Sequence, residues 1–438
     1  MMRGRWRQLG FRRQMLVVGL AALVVRLAYL LATGTLAAPP PEYNEQVRMA
    51  RYLCHGRGFV CPVGPERDDP SSWYSPGFIT LVALIFRACG EATPLSWAAI
   101  RLMNLGFQAA ALGIWFAIAR RLLGRRAAAA TALLLIFSPP LVYESRGIWD
   151  THLLLLAGAA GTAFFTFVPV RRHVAAAASG VLCGLIAYVN PCLTLCYPVW
   201  WFWNRGLHRG KPVIARNGLG LAAAAVLAFL ATIAPWTLRN RAVFGDWFYM
   251  RGNLGMELWV GAAPWSEGSI ISVDNERVHP VFDDVEARRM VEMGEYAYFQ
   301  ACKSEALGWW KNEPRRMAGL TLNRIKWFWF GRYPAVQSLH AKTVKLFGVT
   351  LIGAGGIVGG LVLLWRRRRV WVIPAMVLVF PIPYYLTITA VRYRAPIEPV
   401  LILALAWLAA QIPRRGAALA ETIRAPSAPS PPAGPDPR

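Results

Sequence analysis

Ten apolar blocks constrain this chain more than any other feature. They lie at about residues 15–37, 97–119, 127–143, 151–169, 174–190, 191–204, 217–236, 342–364, 370–390 and 397–413. Most reach the roughly 17–25 residues that a bilayer core requires of a helix. Lipid offers no partner to an open backbone amide, so such blocks must be helices. The sequence therefore predicts an all-α polytopic membrane protein with about ten transmembrane helices. The fifth and sixth blocks are short and meet at Asn190-Pro191, which predicts a tilted or re-entrant pair.

The net charge of +25 would point to nucleic acid in a soluble protein. Here the basic residues cluster between alternate apolar blocks: Arg3, Arg5, Arg7, Arg12 and Arg13; Arg120, Arg121, Arg125 and Arg126; Arg171 and Arg172; Arg205, Arg209, Lys211 and Arg216; Arg366 to Arg369; Arg414 and Arg415. The positive-inside rule puts all six clusters, and both chain ends, in the cytoplasm, and no nucleic-acid partner is expected. The acids give an independent check. Of 23 Asp and Glu, only Glu421 and Asp436 then face the cytoplasm, and the other 21 lie in or beside the opposite loops. A signal peptide is the competing reading of the N-terminus, but block 15–37 exceeds the usual 7–15-residue signal core and is expected to stay as a helix.

The predicted organisation is a membrane module over 1–236, including a first outer loop at 38–96, then a large outer loop at 237–341, C-terminal spans over 342–413 and a disordered tail at 414–438. Pro76 to Gly90 is apolar but short for a span and suits an interfacial helix. Glu286 to Glu305 has helical spacing, and Trp327 to Phe330 reads as an aromatic belt at the water boundary. The seven cysteines carry no metal signature; Cys54 and Cys61 share one loop and are candidates for a disulfide.

Candidate chemistry sits on the outer side. Glu42 and Glu45 open the first loop, and either carboxylate is a candidate general base. Asp150 precedes the fourth block, where a helix N-cap and a catalytic group are both open readings, and His152 beside it raises a divalent metal. Arg239 and Arg241 follow the seventh block, and Arg392 and Arg394 precede the tenth. Outer arginines run against the positive-inside rule, and guanidinium groups suit phosphate oxygens. Trp73 and Trp149, on the same side, are candidates to anchor the boundary. Arg26 stands alone in the middle of the first span, with no acid in another span to pair with it.

These residues fall in an order that resembles a family. Glu45, Ala50 and Gly56-Arg57-Gly58-Phe59 are followed by Trp73 and Pro76, Ile148-Trp149-Asp150, Gly184-Leu185, Asn190-Pro191 and Pro235-Trp236-Thr237-Leu238-Arg239-Asn240. Later come Gly255-Met256-Glu257-Leu258-Trp259-Val260-Gly261, His279-Pro280, Gly294-Glu295-Tyr296-Ala297-Tyr298 and Arg392-Tyr393-Arg394-Ala395-Pro396. Across about 42–400 the chain resembles bacterial GT-C glycosyltransferases of the protein-O-mannosyltransferase-like group, glycosyltransferase family 39 and its relatives, in an uncharacterised branch. Two departures are visible: the branch more often has Glu at the place of Asp150, and wider relatives carry an Asp-Glu pair where Glu42 and Glu45 are separated. The resemblance implies a GT-C-like bundle with periplasmic loop helices in a bacterial inner membrane. It implies a sugar donor on polyprenyl phosphate and an acceptor hydroxyl on a glycan, lipid or protein, with inversion at the sugar. Glu45 is the preferred base on its spacing to Ala50, with Glu42 the alternative. Arg239, Arg392 and Arg394 would meet the phosphate, and Asp150 would orient the acceptor or hold a metal. Tyr393, Trp73, Trp149, Asn190 and Glu257, in the matched motifs, would line the substrate site. The competing function is a polyprenyl-lipid or sugar transporter. Transporters usually place their polar groups at the midplane and are built from repeats; here the charges gather at one boundary and no repeat is evident.

Overall fold

The structure is a computed structural model that describes residues 10–42, 44–64, 68–208, 218–269, 279–332, 342, 345–366 and 370–411. The basic residues Arg3, Arg5, Arg7, Arg209, Lys211, Arg216, Arg367 to Arg369, Arg414 and Arg415, and the tail from 414, lie outside the described residues. The described chain is helices and turns, with two isolated β-bridges, Val60 to Pro70 and Ser269 to Thr389.

The helices follow the apolar blocks and also fill much of the two long loops. They are α1 (Phe11–Ala32), α2 (Glu45–Cys54), α3 (Pro76–Cys89), α4 (Pro94–Leu123), α5 (Arg125–Phe137), α6 (Pro139–Glu144), α7 (Thr151–Phe167) and α8 (His173–Val189). After a 3-10 turn at Pro191–Leu195 come α9 (Cys196–Leu207), α10 (Gly218–Phe244), α11 (Leu254–Ala262), α12 (Asp284–Met293), α13 (Glu295–Asn312) and α14 (Pro314–Phe330). A π segment at Leu346–Leu351 leads into α15 (Ile352–Arg366), then α16 (Val372–Val379), α17 (Ile382–Leu386), a 3-10 turn at Val391–Ile397 and α18 (Glu398–Ala409).

Among the described residues, four helices are each long and apolar enough to cross a bilayer: α1, α4, α10 and the segment Leu346–Arg366. α1 packs on α4, α4 on α7, α8 on α10, and α15 on α18. The bundle's outer surface is apolar. Leu16, Leu20, Val24 and Leu31 on α1, and Leu219, Val226, Leu227 and Leu230 on α10, are exposed. A soluble monomer rarely shows apolar patches beyond a few hundred Å²; in a multi-pass membrane protein this surface meets lipid.

The lone Arg26 is accounted for by α5. Its Nη1 donates to Ala22 O (3.0 Å) and Ile136 O (3.0 Å), and its Nη2 to Leu135 O (2.9 Å). Ile136 and Leu135 are in the last turn of α5, where carbonyls have no helical partner and carry the negative end of the dipole. A helix end replaces the missing acid.

Three blocks are more broken than their hydropathy suggests. Block 127–143 splits at Ser138, which is held extended (φ −57°, ψ 113°) by the prolines that follow. Block 370–390 divides into α16 and α17, and block 191–204 begins as a 3-10 turn. The amphipathic stretch 286–305 divides into α12 and α13 at Gly294, whose φ of 81° only glycine adopts freely. The Trp327 to Phe330 belt is corrected in half: Phe328 and Trp329 are buried against Tyr384 and Tyr385 and belong to the core, whereas Trp327 is half-buried and Phe330 exposed.

At the end of the bundle that carries the long loops, α2, α3, α11 and α13 build a second core around Val47, Met49, Phe78, Trp259 and Phe299. Arg101 in α4 ties this end together, donating to Leu36 O (3.1 Å), Ala38 O (2.6 Å) and Arg146 O (3.1 Å).

Candidate active site

The site forms where the first loop, the α6–α7 turn, the segment after α10 and the 3-10 turn before α18 converge. Asn44 starts the arrangement. Its side chain accepts from Val47 N (3.0 Å) as the N-cap of α2 and donates to Ile148 O (2.8 Å), which docks the helix start onto the α6–α7 turn. Gln46 extends the contact by accepting from Asp150 N (3.0 Å). Glu45 is thereby fixed in the first turn of α2, 7% exposed, with Oε2 buried and unpartnered among the described residues. Burial raises its pKa to about 7; its own backbone hydrogen bond and the nearby Arg392 and Arg251 restrain that rise, and Glu257 adds to it. Glu42, three residues earlier, is exposed.

Asp150 precedes α7 but makes no side-chain cap. The capping reading is thus corrected. Its carboxylate engages Gln46 and Asn190; burial raises its pKa, and Arg251, Gln46, Arg392 and Asn190 pull it back. Asn190 also caps the 3-10 turn, accepting from Cys192 N (3.0 Å). Glu257 on α11 accepts from Asn253 (2.9 Å), and its pKa is raised by burial against the pull of Arg251 and Arg392.

Two arginines face these three acids. Arg392 lies over the Trp149 ring, 4.3 Å from its centroid, and beside Tyr393 at 5.4 Å. Tyr393 stacks on Tyr384 with centroids 4.8 Å apart. Arg251 lies over Tyr74 at 4.7 Å, while its Nε donates to Trp73 O (2.9 Å). Sequence reasoning missed Arg251. The signal was present, since the outer-arginine argument applied to Arg239 and Arg392 fits it equally, but Arg251 stands in no motif.

Other expected site residues are placed elsewhere. Arg394 is 1% exposed and binds Glu398 twice (2.6 and 3.0 Å), Trp329 O (2.6 Å) and Val349 O (3.0 Å). Four of its donor contacts are spent on the protein, so the expectation of a phosphate contact is corrected to an internal lock. Arg239 donates to Ser71 O (2.8 Å) and sits against Trp236 and Phe244, with Glu295 as its nearby acid. Trp73 is 1% exposed, packed against His279 and Phe299, with no ring face left for a sugar. His152 is buried, and its Nε2 pairs with Glu144 O (3.1 Å), so it does not converge with Asp150 on a metal. Cys54 and Cys61 are unbonded thiols, not a disulfide.

Glu295 was a matched motif residue without a role. It is buried at the start of α13 and accepts from Ser71 Oγ (2.7 Å), Ser72 N (2.6 Å) and Ser72 Oγ (3.1 Å). It joins the two long loops immediately before Trp73 and Tyr74, and so holds Tyr74 in the site.

The site is polar and doubly charged at its centre, and aromatic at its rim. It can accept a proton at Glu45 and neutralise an anion at Arg251 and Arg392. No protein-family model matches the chain, and no curated protein matches it. Among solved structures it is similar to the apo form of the oligosaccharyltransferase from Archaeoglobus fulgidus (TM-score 0.52, 12% identity, covering 95% of this chain and 53% of that one). A second match is ArnT from Cupriavidus metallidurans bound to undecaprenyl phosphate (TM-score 0.37, 15% identity, 93% and 81%). The chain spans about half the length of the archaeal enzyme. At 12% identity the likeness to that enzyme shows the fold alone: this is a multi-pass membrane protein with the GT-C fold.

Proposed function

We propose that the chain is a membrane glycosyltransferase that moves a sugar from a polyprenyl-phosphate donor to an acceptor hydroxyl, with inversion, on the periplasmic side of a bacterial inner membrane. The observation that carries this reading is Glu45, a buried carboxylate with one unpartnered oxygen, a pKa of about 7 and two arginines within electrostatic range. A general base works best when its pKa lies near the operating pH. Burial supplies that value here.

In the proposed reaction the acceptor oxygen attacks the anomeric carbon and its proton passes to Glu45 Oε2. The bond from the anomeric carbon to the phosphate oxygen breaks, and its electron pair leaves on the lipid phosphate. Arg251 and Arg392 face the charge as it develops, already desolvated and oriented by their aromatic partners, so little reorganisation is needed. Asp150, held by Gln46 and Asn190, orients the acceptor. Arg251 is the countercharge for Asp150, so the arginines supply the cationic role considered for a metal. The resemblance to protein-O-mannosyltransferase-like enzymes points to the same base and donor class.

Membrane vesicles containing the chain and a lipid-linked sugar test the proposal. Wild-type protein should transfer sugar to endogenous acceptor, and Glu45→Gln should lose transfer while retaining its fold. Undiminished transfer by both Glu45→Gln and Asp150→Asn would sink the enzymatic reading. Net movement of intact lipid-linked sugar without transfer would favour a transporter.

A further inference from the structure

We propose that Cys54, His55 and Glu91 form a second site, for a divalent cation of the zinc class, at the far end of the helix that carries Glu45. One ligand atom from each lies within 4.8 Å of the others: a thiol sulfur, an imidazole nitrogen and a carboxylate oxygen. Cys54 is the last residue of α2, and His55 is its C-cap. Glu91 comes from the turn between α3 and α4.

That turn is built to hold its carboxylate in place. Gly90 has φ 87° and Ala92 has φ 53°; Ala92 is the only non-glycine residue with positive φ among the described residues. Such backbone persists only where its surroundings over-determine it. Thr93 provides that constraint: its Oγ1 donates to Cys89 O (2.9 Å) and accepts from Ser96 N (3.1 Å). The strained residue thus adjoins the carboxylate. Glu91 Oε1 accepts from Arg51 Nε, and Oε2 pairs with His55 Nε2, so the carboxylate already gathers the imidazole beside the thiol.

The donor set determines the cation. Magnesium and calcium prefer all-oxygen shells, whereas mixed sulfur, nitrogen and oxygen ligands suit zinc. On binding, the Cys54 thiol releases its proton to solvent, His55 offers a neutral nitrogen and Arg51 gives up Glu91. Arg51 is 52% exposed, so it returns to water at small cost. Three protein ligands leave a fourth position for water. The cation would tie α2 to the α3–α4 turn and brace the helix whose other end presents Glu45.

Cobalt(II) titration of the full-length protein in detergent tests this. The expected result is one cobalt per chain with a near-ultraviolet thiolate-to-cobalt absorption, bleached by zinc. Cys54→Ser should abolish the band. His55→Ala and Glu91→Gln should weaken binding at least about tenfold, a loss that removal of even an outer-shell partner can cause. Arg51→Ala should tighten binding by removing a competing cation, and Cys61→Ser, in the same loop, should leave it unchanged. A wild-type protein with no thiolate band, a band that survives Cys54→Ser, or one lost in Cys61→Ser overturns the proposal. The readout is metal binding, so it stands or falls separately from glycan transfer.

Discussion

At the scale of single residues, the proposed chemistry depends on how Glu45 is buried. A base must be ionised, so kcat/KM for transfer should rise with pH through an apparent pKa of about 7 and level off above it. Glu45→Gln should lower kcat by about 10²–10⁴-fold and remove the rising limb. A wild-type limb near the ordinary carboxylate value would contradict the burial argument. Stability carries the opposite sign. The folded chain holds this proton more tightly than the unfolded chain, so the contribution of Glu45 to stability is fully present below pH 4.5, falls as pH rises and is lost, about 3 kcal/mol, above pH 7. Glu45→Gln should therefore unfold at a higher temperature than wild type at pH 8, with little difference at pH 4. The arginines divide in the same way. Arg251→Ala should weaken use of the lipid donor with the fold intact. Arg394→Ala strands the buried Glu398 and should destabilise the protein by about 3–5 kcal/mol, seen as lost thermal stability. The residue types were legible in the sequence, since outer arginines and loop acids violate a rule and attract notice. Their partners were not. Arg394 and Arg392 are two residues apart, yet one spends its donors on Glu398 and backbone carbonyls and the other faces Glu45 across the site. Only the packing of α14 and of the π segment before α15 decides which.

At the scale of elements, close helix contact replaces the hydrophobic drive that lipid removes. Gly180 and Gly184 on α8 meet α10 so closely that a Cβ at Gly180 would overlap Ala225 O, and one at Gly184 would lie 2.6 Å from Thr232 Cβ. Gly359 and Gly356 serve α15 against α18 in the same way. Gly180→Ala should cost about 1–3 kcal/mol, because neither backbone can yield without opening the interface. Gly308→Ala in α13 is the matched control: nothing lies within 4 Å of its Cβ, and removing a helical glycine should gain about 0.5–1 kcal/mol. Thermal unfolding in detergent reads both, and equal effects would mean that α8 and α10 are not in tight contact. The helices of the apolar blocks were legible from hydropathy, because length and apolarity alone define a span; α2, α11 and α14, in the long loops, were not. The breaks at Ser138 and Gly294 were not, because hydropathy is blind to backbone dihedrals; the Pro139-Pro140 pair and the lone glycine were the available signs. Phe328 and Trp329 were misplaced for a related reason: an aromatic run fits a boundary or a core, and α17, the π segment and the 3-10 turn before α18 cover half of this one.

At the scale of the whole molecule, the Glu45 cluster requires one end of the bundle to face both donor lipid and acceptor. The acids gather at the end bearing the long loops, whereas Arg120, Arg121, Arg125, Arg126, Arg171 and Arg172 gather at the opposite turns. Such a division is what charge-directed insertion produces, and it predicts sidedness. In a background with the native cysteines changed to serine, a membrane-impermeant maleimide added to intact spheroplasts should label Arg288→Cys on exposed α12. It should label Arg125→Cys, at the exposed α4–α5 turn, only after lysis. The reverse pattern would put the site in the cytoplasm and remove the periplasmic acceptor. The same labelling chemistry also reports the joint between the two long loops. Glu295→Ala leaves Ser71 and Ser72 without their shared acceptor, about 1–3 kcal/mol for each buried donor left unmet. With that joint cut, α12 and α13 can part from the first loop while the transmembrane bundle stays folded. Cysteines engineered on the α12–α13 face that packs against the first loop should then label faster in the Glu295→Ala background, with the labelling of Arg125→Cys unchanged. Unaltered rates at that face would mean that the loops are held by their shared apolar core, and that Glu295 adds no clasp of its own.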